Sequence, residues 1–330
     1  MVNLYLTVDV ECSMGDAWLN PKLQPVRVER AILGKKEEKF YGTPLIMDIL
    51  EQNGLKATFF GEVFAALNCG ESELSQAYRD MIGRGHEVQL HLHPTHYFYR
   101  QVRDGRVKGA DLDPNHDYLA CHPLEKQVAL LREGIEVFQR VTGRTPTVFR
   151  AGNYGANLTT LQALEQVGIL ADSSYNAAYV GKGCFLPNGR TNELWSSGTV
   201  REVPVSVFQS GIWPNIGLKP FEISSISFEE ATALLEQAER SNMTAVTAVL
   251  HCFSLFKISD RQYTDIRPDR IVIRRFERLC QWLAARRDQF RVCTFSDPLP
   301  DVGPAVLPQL SPWKAIVRKA VQAVNRAYWV

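Results

Sequence analysis

The sequence predicts an α/β fold, a closed or nearly closed barrel of parallel strands wrapped by helices. Short apolar runs alternate with segments of helical period along the chain. Seven or eight such units follow one another, and the acidic and histidine motifs fall at the C-terminal ends of the runs, where β/α barrels place their chemistry. The predicted strands are 3–10, 55–60 (LKATFF), 87–92, 147–150 (TVFR), 168–171, 202–208, 244–251 and 290–295. The predicted helices are 44–53, 71–83, 123–142, 158–167, 227–240 and 269–287, and the glycines that follow three of them fit C-terminal caps. Two long stretches without period, 12–41 and 93–121, come directly after strands that carry candidate site residues. Loops of this length in a compact domain are commonly functional, so both are expected to wall a substrate cleft. No repeat, low-complexity tract or linker divides the chain, which reads as one barrel domain over 1–300 and a C-terminal extension over 301–330.

Composition narrows the function classes. A chain of 330 residues at 45% hydrophobic can bury one large core or two modest ones. Lys and Arg number 37 against 36 Asp and Glu, so no overall field favours nucleic acid. Seven cysteines are scattered without a CxxC pair, which reads as a reduced, intracellular chain. The start MVNLYLTVDVEC lacks a basic segment followed by a long apolar run, and no stretch approaches the roughly 20 apolar residues of a membrane-spanning helix. A cytoplasmic protein is expected.

The chemistry concentrates in a few places. Leu4-Tyr5-Leu6-Thr7-Val8-Asp9-Val10-Glu11 is a buried-strand pattern ending in acid, and Asp9 and Glu11 at alternate positions share one face. In Gly85-His86-Glu87-Val88-Gln89-Leu90-His91-Leu92-His93-Pro94-Thr95-His96, the trio His91, His93 and His96 follows an apolar strand. Three imidazoles within six residues are hard to explain by packing, although a solvated loop remains an alternative. His86 reads as structural, and His116 and His122 as residues of a polar loop rather than ligands. Carboxylates and histidines together can hold a divalent metal beside a spare carboxylate, a combination suited to metal-assisted hydrolysis. Arg150 ends an apolar run and, if buried, needs an anionic partner such as Asp9. The glycines around Asn153 and Tyr154 let a backbone N–H approach a ligand. His251 ends another apolar run and, placed at the same end of the barrel, can protonate a leaving group.

In order, Thr7-Val8-Asp9-Val10-Glu11, Gly85-His86-Glu87-Val88 through His91, Phe149-Arg150-Ala151-Gly152-Asn153-Tyr154, Asp172-Ser173-Ser174-Tyr175 and Leu250-His251 resemble the five motifs of the NodB-homology polysaccharide deacetylases, the fourth carbohydrate esterase family. Gly42-Thr43-Pro44 and Lys56-Ala57-Thr58-Phe59-Phe60 resemble the supporting context. The resemblance runs from residue 3 to about 295. It implies a distorted (β/α) barrel of about seven parallel strands, and removal of acyl groups from sugars with zinc or another divalent ion. By position it makes Asp9 the general base, Glu11 and His91 metal ligands, and Arg150 the group that orients Asp9. Asn153 and Tyr154 would serve the oxyanion and His251 would be the general acid, with Asp172 supporting His251 or Arg150. Three departures mark a divergent branch. The usual second metal histidine lies four residues after the first, where this chain has Thr95, so His93 or His96 takes over. Glu11 replaces the common aspartate, and no acid follows Leu250-His251-Cys252.

The expected reaction is hydrolysis of an amide, acetyl or formyl, on an amino sugar of a polysaccharide or lipid-linked glycan. A metal-independent cyclic-amide hydrolase of allantoinase type and a non-catalytic carbohydrate-binding protein are the alternatives. Trp18, Tyr97, Phe98, Tyr99, Trp195 and Trp213 could stack on sugar rings or equally fill core. In 311–330, Trp313, Ile316, Val317, Ala320, Val321 and Val324 fall at helical spacing, while Lys314, Arg318, Lys319 and Arg326 crowd the remainder and Tyr328, Trp329 and Val330 end the chain. Such a helix can lie peripherally on the anionic inner face of a membrane or pack on its own barrel.

Overall fold

The computed structural model describes residues 1–212 and 215–327. At its centre is a nine-stranded sheet. Its strands are β1 (Val2–Val10), β2 (Thr58–Glu62), β3 (Glu87–Leu92), β4 (Val148–Ala151), β5 (Ala171–Asp172), β6 (Trp195–Ser197), β7 (Val200–Glu202), β8 (Ala245–His251) and β9 (Phe290–Cys293). The order across the sheet is β8-β1-β2-β3-β4-β5-β7-β6. β9 shares an edge of β1 with β2, taking Val2–Tyr5 where β2 takes Thr7–Val10. Every pairing is parallel except that of β6 with β7. Irregular segments bridge the open side: Val205 bridges Asn176, the Ser206 N–H donates to the Thr247 carbonyl (3.0 Å), and Glu222 bridges Val249. The result is the curled, distorted parallel sheet that the sequence predicts.

The strands are buried on both faces, so they read as nearly continuous apolar runs. Along β1, Leu4, Leu6, Val8 and Val10 join the large core beneath the helices, whereas Tyr5, Thr7 and Asp9 face the barrel interior. Tyr5, Phe60, Val148, Ala245 and Phe295 form a separate inner core. The Arg150 guanidinium lies 4.1 Å from the Phe60 ring centre, which makes this inner core the floor of whatever lies above it.

Among the described residues eight longer helices accompany the sheet: α1 (Thr43–Gln52), α2 (Glu71–Gly83), α3 (Pro94–Arg103), α4 (Leu124–Thr142), α5 (Leu158–Val167), α6 (Phe228–Arg240), α7 (Arg270–Ala284) and α8 (Pro312–Ala327). Two expectations are corrected. The stretch 93–121 is not wholly irregular, because Pro94 starts α3 and buries His96, Phe98 and Tyr99. The predicted strand 202–208 is split: Pro204 has no N–H for a ladder, and the chain resumes as a hairpin of Val207–Ile212 with Asn215–Pro220.

Candidate active site

The register of the sheet assembles the site. Asp9 stands opposite His251 on β8 and Phe60 on β2, while His91 stands opposite Glu62 and Arg150. These positions lie at the carboxyl ends of their strands, where a parallel barrel opens to ligands.

Asp9 and Arg150 are both buried, Arg150 completely. Arg150 Nη1 donates to Asp9 Oδ1 at 2.6 Å and to Thr7 Oγ1 at 2.9 Å. Its Nε donates to the Ser173 carbonyl at 3.0 Å and Nη2 to Ser173 Oγ at 2.9 Å. A buried guanidinium is tolerated only when charge and donors are met, and here they are. The bonds fix one Asp9 oxygen and leave Oδ2 facing the cleft, 3.9 Å from His251 Nε2.

Glu11, His91 and His93 form a second group, with one donor atom from each lying within 4.8 Å of the others. Glu11 Oε2 is 2.6 Å from His93 Nε2 and 3.8 Å from His91 Nε2. Two donors about 2.1 Å from a tetrahedral zinc ion stand roughly 3.4 Å apart, so these separations bracket the requirement. The opposite nitrogens are anchored. His91 Nδ1 lies 2.7 Å from the Arg150 carbonyl, and His93 Nδ1 lies 2.9 Å from Asp117 Oδ2. A carbonyl can only accept, so His91 carries a proton on Nδ1 and turns Nε2 to the group. Burial alone would raise the Glu11 carboxyl, but the His93 and His91 imidazoles beside it win and hold it well below the usual carboxylate range. Asp117 is likewise held at about 2: burial opposes its charge, while His93 and the Thr95 N–H favour it. The residues present fit a divalent ion.

His96 is not brought into this group. Its Nε2 lies 2.9 Å from the Cys12 carbonyl, one turn into α3, so of the two histidines left open it is His93 that stands with Glu11 and His91. Thr95 receives the Trp18 Nε1 proton at 2.8 Å and gives its own N–H to Asp117.

His251 faces Asp9 on one side and Glu222 on the other, with Nδ1 3.9 Å from Glu222 Oε1, and it stacks on Phe253. Asp172 does not reach His251 or Arg150. It is buried opposite Glu202 in the β5–β7 register and accepts from Ser174 Oγ, which accepts in turn from the Ala151 N–H. It thus meets β4 at Ala151, the residue after Arg150, through Ser174.

Asn153 and Tyr154 both adopt left-handed backbone, φ 54° and 58°, at the turn after β4. Asn153 Nδ2 donates to Asp117 Oδ2 at 2.7 Å. The preceding Gly152 is required by contact, because a Cβ there would sit 2.7 Å from the His93 ring and the Leu92 carbonyl. Asp9, Glu11, His91, His93, Asn153, Tyr154, Glu222 and His251 open onto one cleft of about 260 Å³ whose remaining walls include Tyr118, Tyr179 and Lys182.

The walls differ from expectation. Of the two long stretches, 93–121 contributes His93 and Tyr118, whereas among the described residues 12–41 supplies no lining of this cleft. Trp18 sits edge-on to Tyr99, Tyr97 packs on Phe64, Phe98 stacks on His122 and Trp195 meets Tyr175, all away from the cleft. Trp213 lies outside the described residues. The sequence reading missed Asp117 and Glu222. Asp117 could have been flagged as an acid beside His116 in a long loop after a histidine strand, but Glu222 has no comparable signal.

Residues 41–171 match the family model described as polysaccharide deacetylase. No curated protein matches the chain. Among solved structures, a putative polysaccharide deacetylase from Mycobacterium smegmatis is similar with a TM-score of 0.53 at 17% identity, over 93% of this chain and 95% of that one. A probable polysaccharide deacetylase from Pseudomonas aeruginosa PAO1 gives 0.49 at 13% identity over 90% and 89%. A family 4 carbohydrate esterase from Streptomyces lividans, in complex with acetate, gives 0.45 at 12% over 93% and 98%. The family match thus covers residues 41–171, and the fold of the chain is that of the Mycobacterium smegmatis structure.

Proposed function

We propose that the chain hydrolyses an N-acyl group, acetyl or formyl, on an amino sugar of a cell-envelope polysaccharide or lipid-linked glycan, with zinc or another divalent ion held by Glu11, His91 and His93. One observation carries this reading: Asp9, locked by Arg150, shares a cleft with the Glu11–His91–His93 group but stands outside it. When bound, such an ion supplies polarisation of the acyl oxygen and acidification of water. Asp9 Oδ2 takes a proton as water oxygen bonds to the acyl carbon. His251 then gives a proton to the sugar nitrogen as the carbon–nitrogen bond breaks, so a carboxylic acid and an amine leave. Glu222 steadies the imidazole, and the turn at Asn153 and Tyr154 faces the developing oxyanion.

The test is acetate and formate release from a panel of N-acyl amino-sugar conjugates, with and without a chelator. The reading expects release that chelation abolishes and that Asp9→Asn lowers by about 100- to 10,000-fold, the usual worth of a positioned base. Activity surviving chelation would point instead to the cyclic-amide alternative. Sugar binding without turnover, unchanged by Asp9→Asn, would point to a binding protein.

A further inference from the structure

Helix α8 is docked inside out. Its inward face is Ala315, Arg318, Gln322 and Asn325, three of them polar. Arg318 Nε lies 2.9 Å from the fully buried Glu230 Oε2 on α6. Gln322 Nε2 donates to the Ser225 carbonyl and Asn325 Nδ2 to Asp269 Oδ2, each at 2.9 Å. The outward face carries Trp313, Ile316, Val317, Ala320 and Val321, exposed by 68% at Trp313 and by 38–40% at Ile316, Val317 and Val321. Their spacing is i, i+3, i+4, i+7, i+8, the stripe that a surface helix ordinarily turns to its core. Val324, Arg326, Tyr328, Trp329 and Val330 lie outside the described side chains.

An outward apolar stripe rimmed by charge marks an interaction surface, and here the rim is mainly basic. Residues 311–330 contain no acid. Beside the stripe, α7 exposes Arg270, Arg274 and Arg278 at four-residue spacing, and these line one groove with Val317 and Val321. Glu229 pairs with Arg278 at 3.6 Å, but among the described residues Arg270 and Arg274 have no ion-pair partner. A second copy of the chain docked about a two-fold axis would set this positive rim against itself, at a cost in repulsion. A negatively charged lipid surface meets both demands at once.

The geometry points to an anionic membrane surface as the occupant, with the α8 stripe sunk to the acyl boundary and Arg270, Arg274 and Lys319 on headgroups. This docking stands independently of the catalytic reading. It is tested by co-sedimentation of the full chain with vesicles of phosphatidylcholine alone and of phosphatidylcholine mixed with phosphatidylglycerol. The chain is expected to bind the mixed vesicles, less so as salt rises. Val317→Glu with Val321→Glu should weaken binding more than about tenfold, since each buries a charge where apolar area was gained. Arg270→Gln and Arg274→Gln should each weaken it roughly fivefold, the worth of one cation near such a surface. Both pairs occupy exposed positions, so thermal melting should stay close to that of the parent chain. Absence of binding, equal binding to neutral vesicles, or indifference to both variant pairs overturns the proposal. So does a concentration-dependent dimer in light scattering that the Val317/Val321 variant splits, which would make the occupant a second copy.

Discussion

At the scale of single residues, the site is a set of charges that burial makes costly and partners make tolerable. Arg150→Met leaves Asp9 buried without its cation, and a loss of about 3–5 kcal/mol in unfolding free energy is expected by denaturant titration. Asp117→Asn should weaken metal affinity by about 10- to 100-fold while leaving the melting temperature nearly unchanged, because Asp117 acts by holding His93. Away from the cleft, burial and the neighbouring Asp172 push Glu202 well above the usual carboxylate range, and burial raises Asp172 as well. The folded pair keeps a proton that the unfolded chain releases. Stability from this pair is therefore complete below the ordinary carboxylate range and declines as pH rises through the raised folded value. Glu202→Gln puts a neutral amide where the protonated acid stood and should flatten that decline in a melting-temperature series against pH. A decline as steep as the parent's would contradict the assignment.

At the scale of elements, strand ends decide which side chains meet. Period-two alternation in β1 and β3 made Asp9, Glu11 and His91 legible from the sequence, and the apolar run of β4 made Arg150 so, since a strand leaves a side chain only two faces. What was not legible came from segments without a period. Asp117 reaches His93 from a loop whose path no local rule fixes, and Glu222 arrives on a segment that pairs with Val249 only across the barrel's gap. His96 looked like a ligand by spacing alone, but Pro94 turns the chain into α3 and rotates it toward Cys12. Asp172 looked like a partner for His251, yet its strand is two residues long and pairs with β7, which carries Glu202. The tight approach of β4's exit to His93 gives a test at this scale. Gly152→Ala forces a Cβ onto the His93 ring and the Leu92 carbonyl, so it should cost about 1–3 kcal/mol of stability and lower metal retention, read by melting and metal content.

At the scale of the whole molecule, one barrel mouth gathers residues from four strands and from the segments that connect them, and a C-terminal helix turns its apolar side outward. Among the described residues no helix is long and apolar enough to cross a membrane. A ligand that binds only the folded barrel raises its stability by mass action, so added zinc should raise the melting temperature, and a chelator should reverse the rise. The most direct test of the central claim is the metal content of the purified chain, compared among the parent, His93→Ala and His96→Asn. The geometry predicts about one divalent ion per chain in the parent and in His96→Asn, and loss of it in His93→Ala. Retention in His93→Ala together with loss in His96→Asn would contradict the site as described.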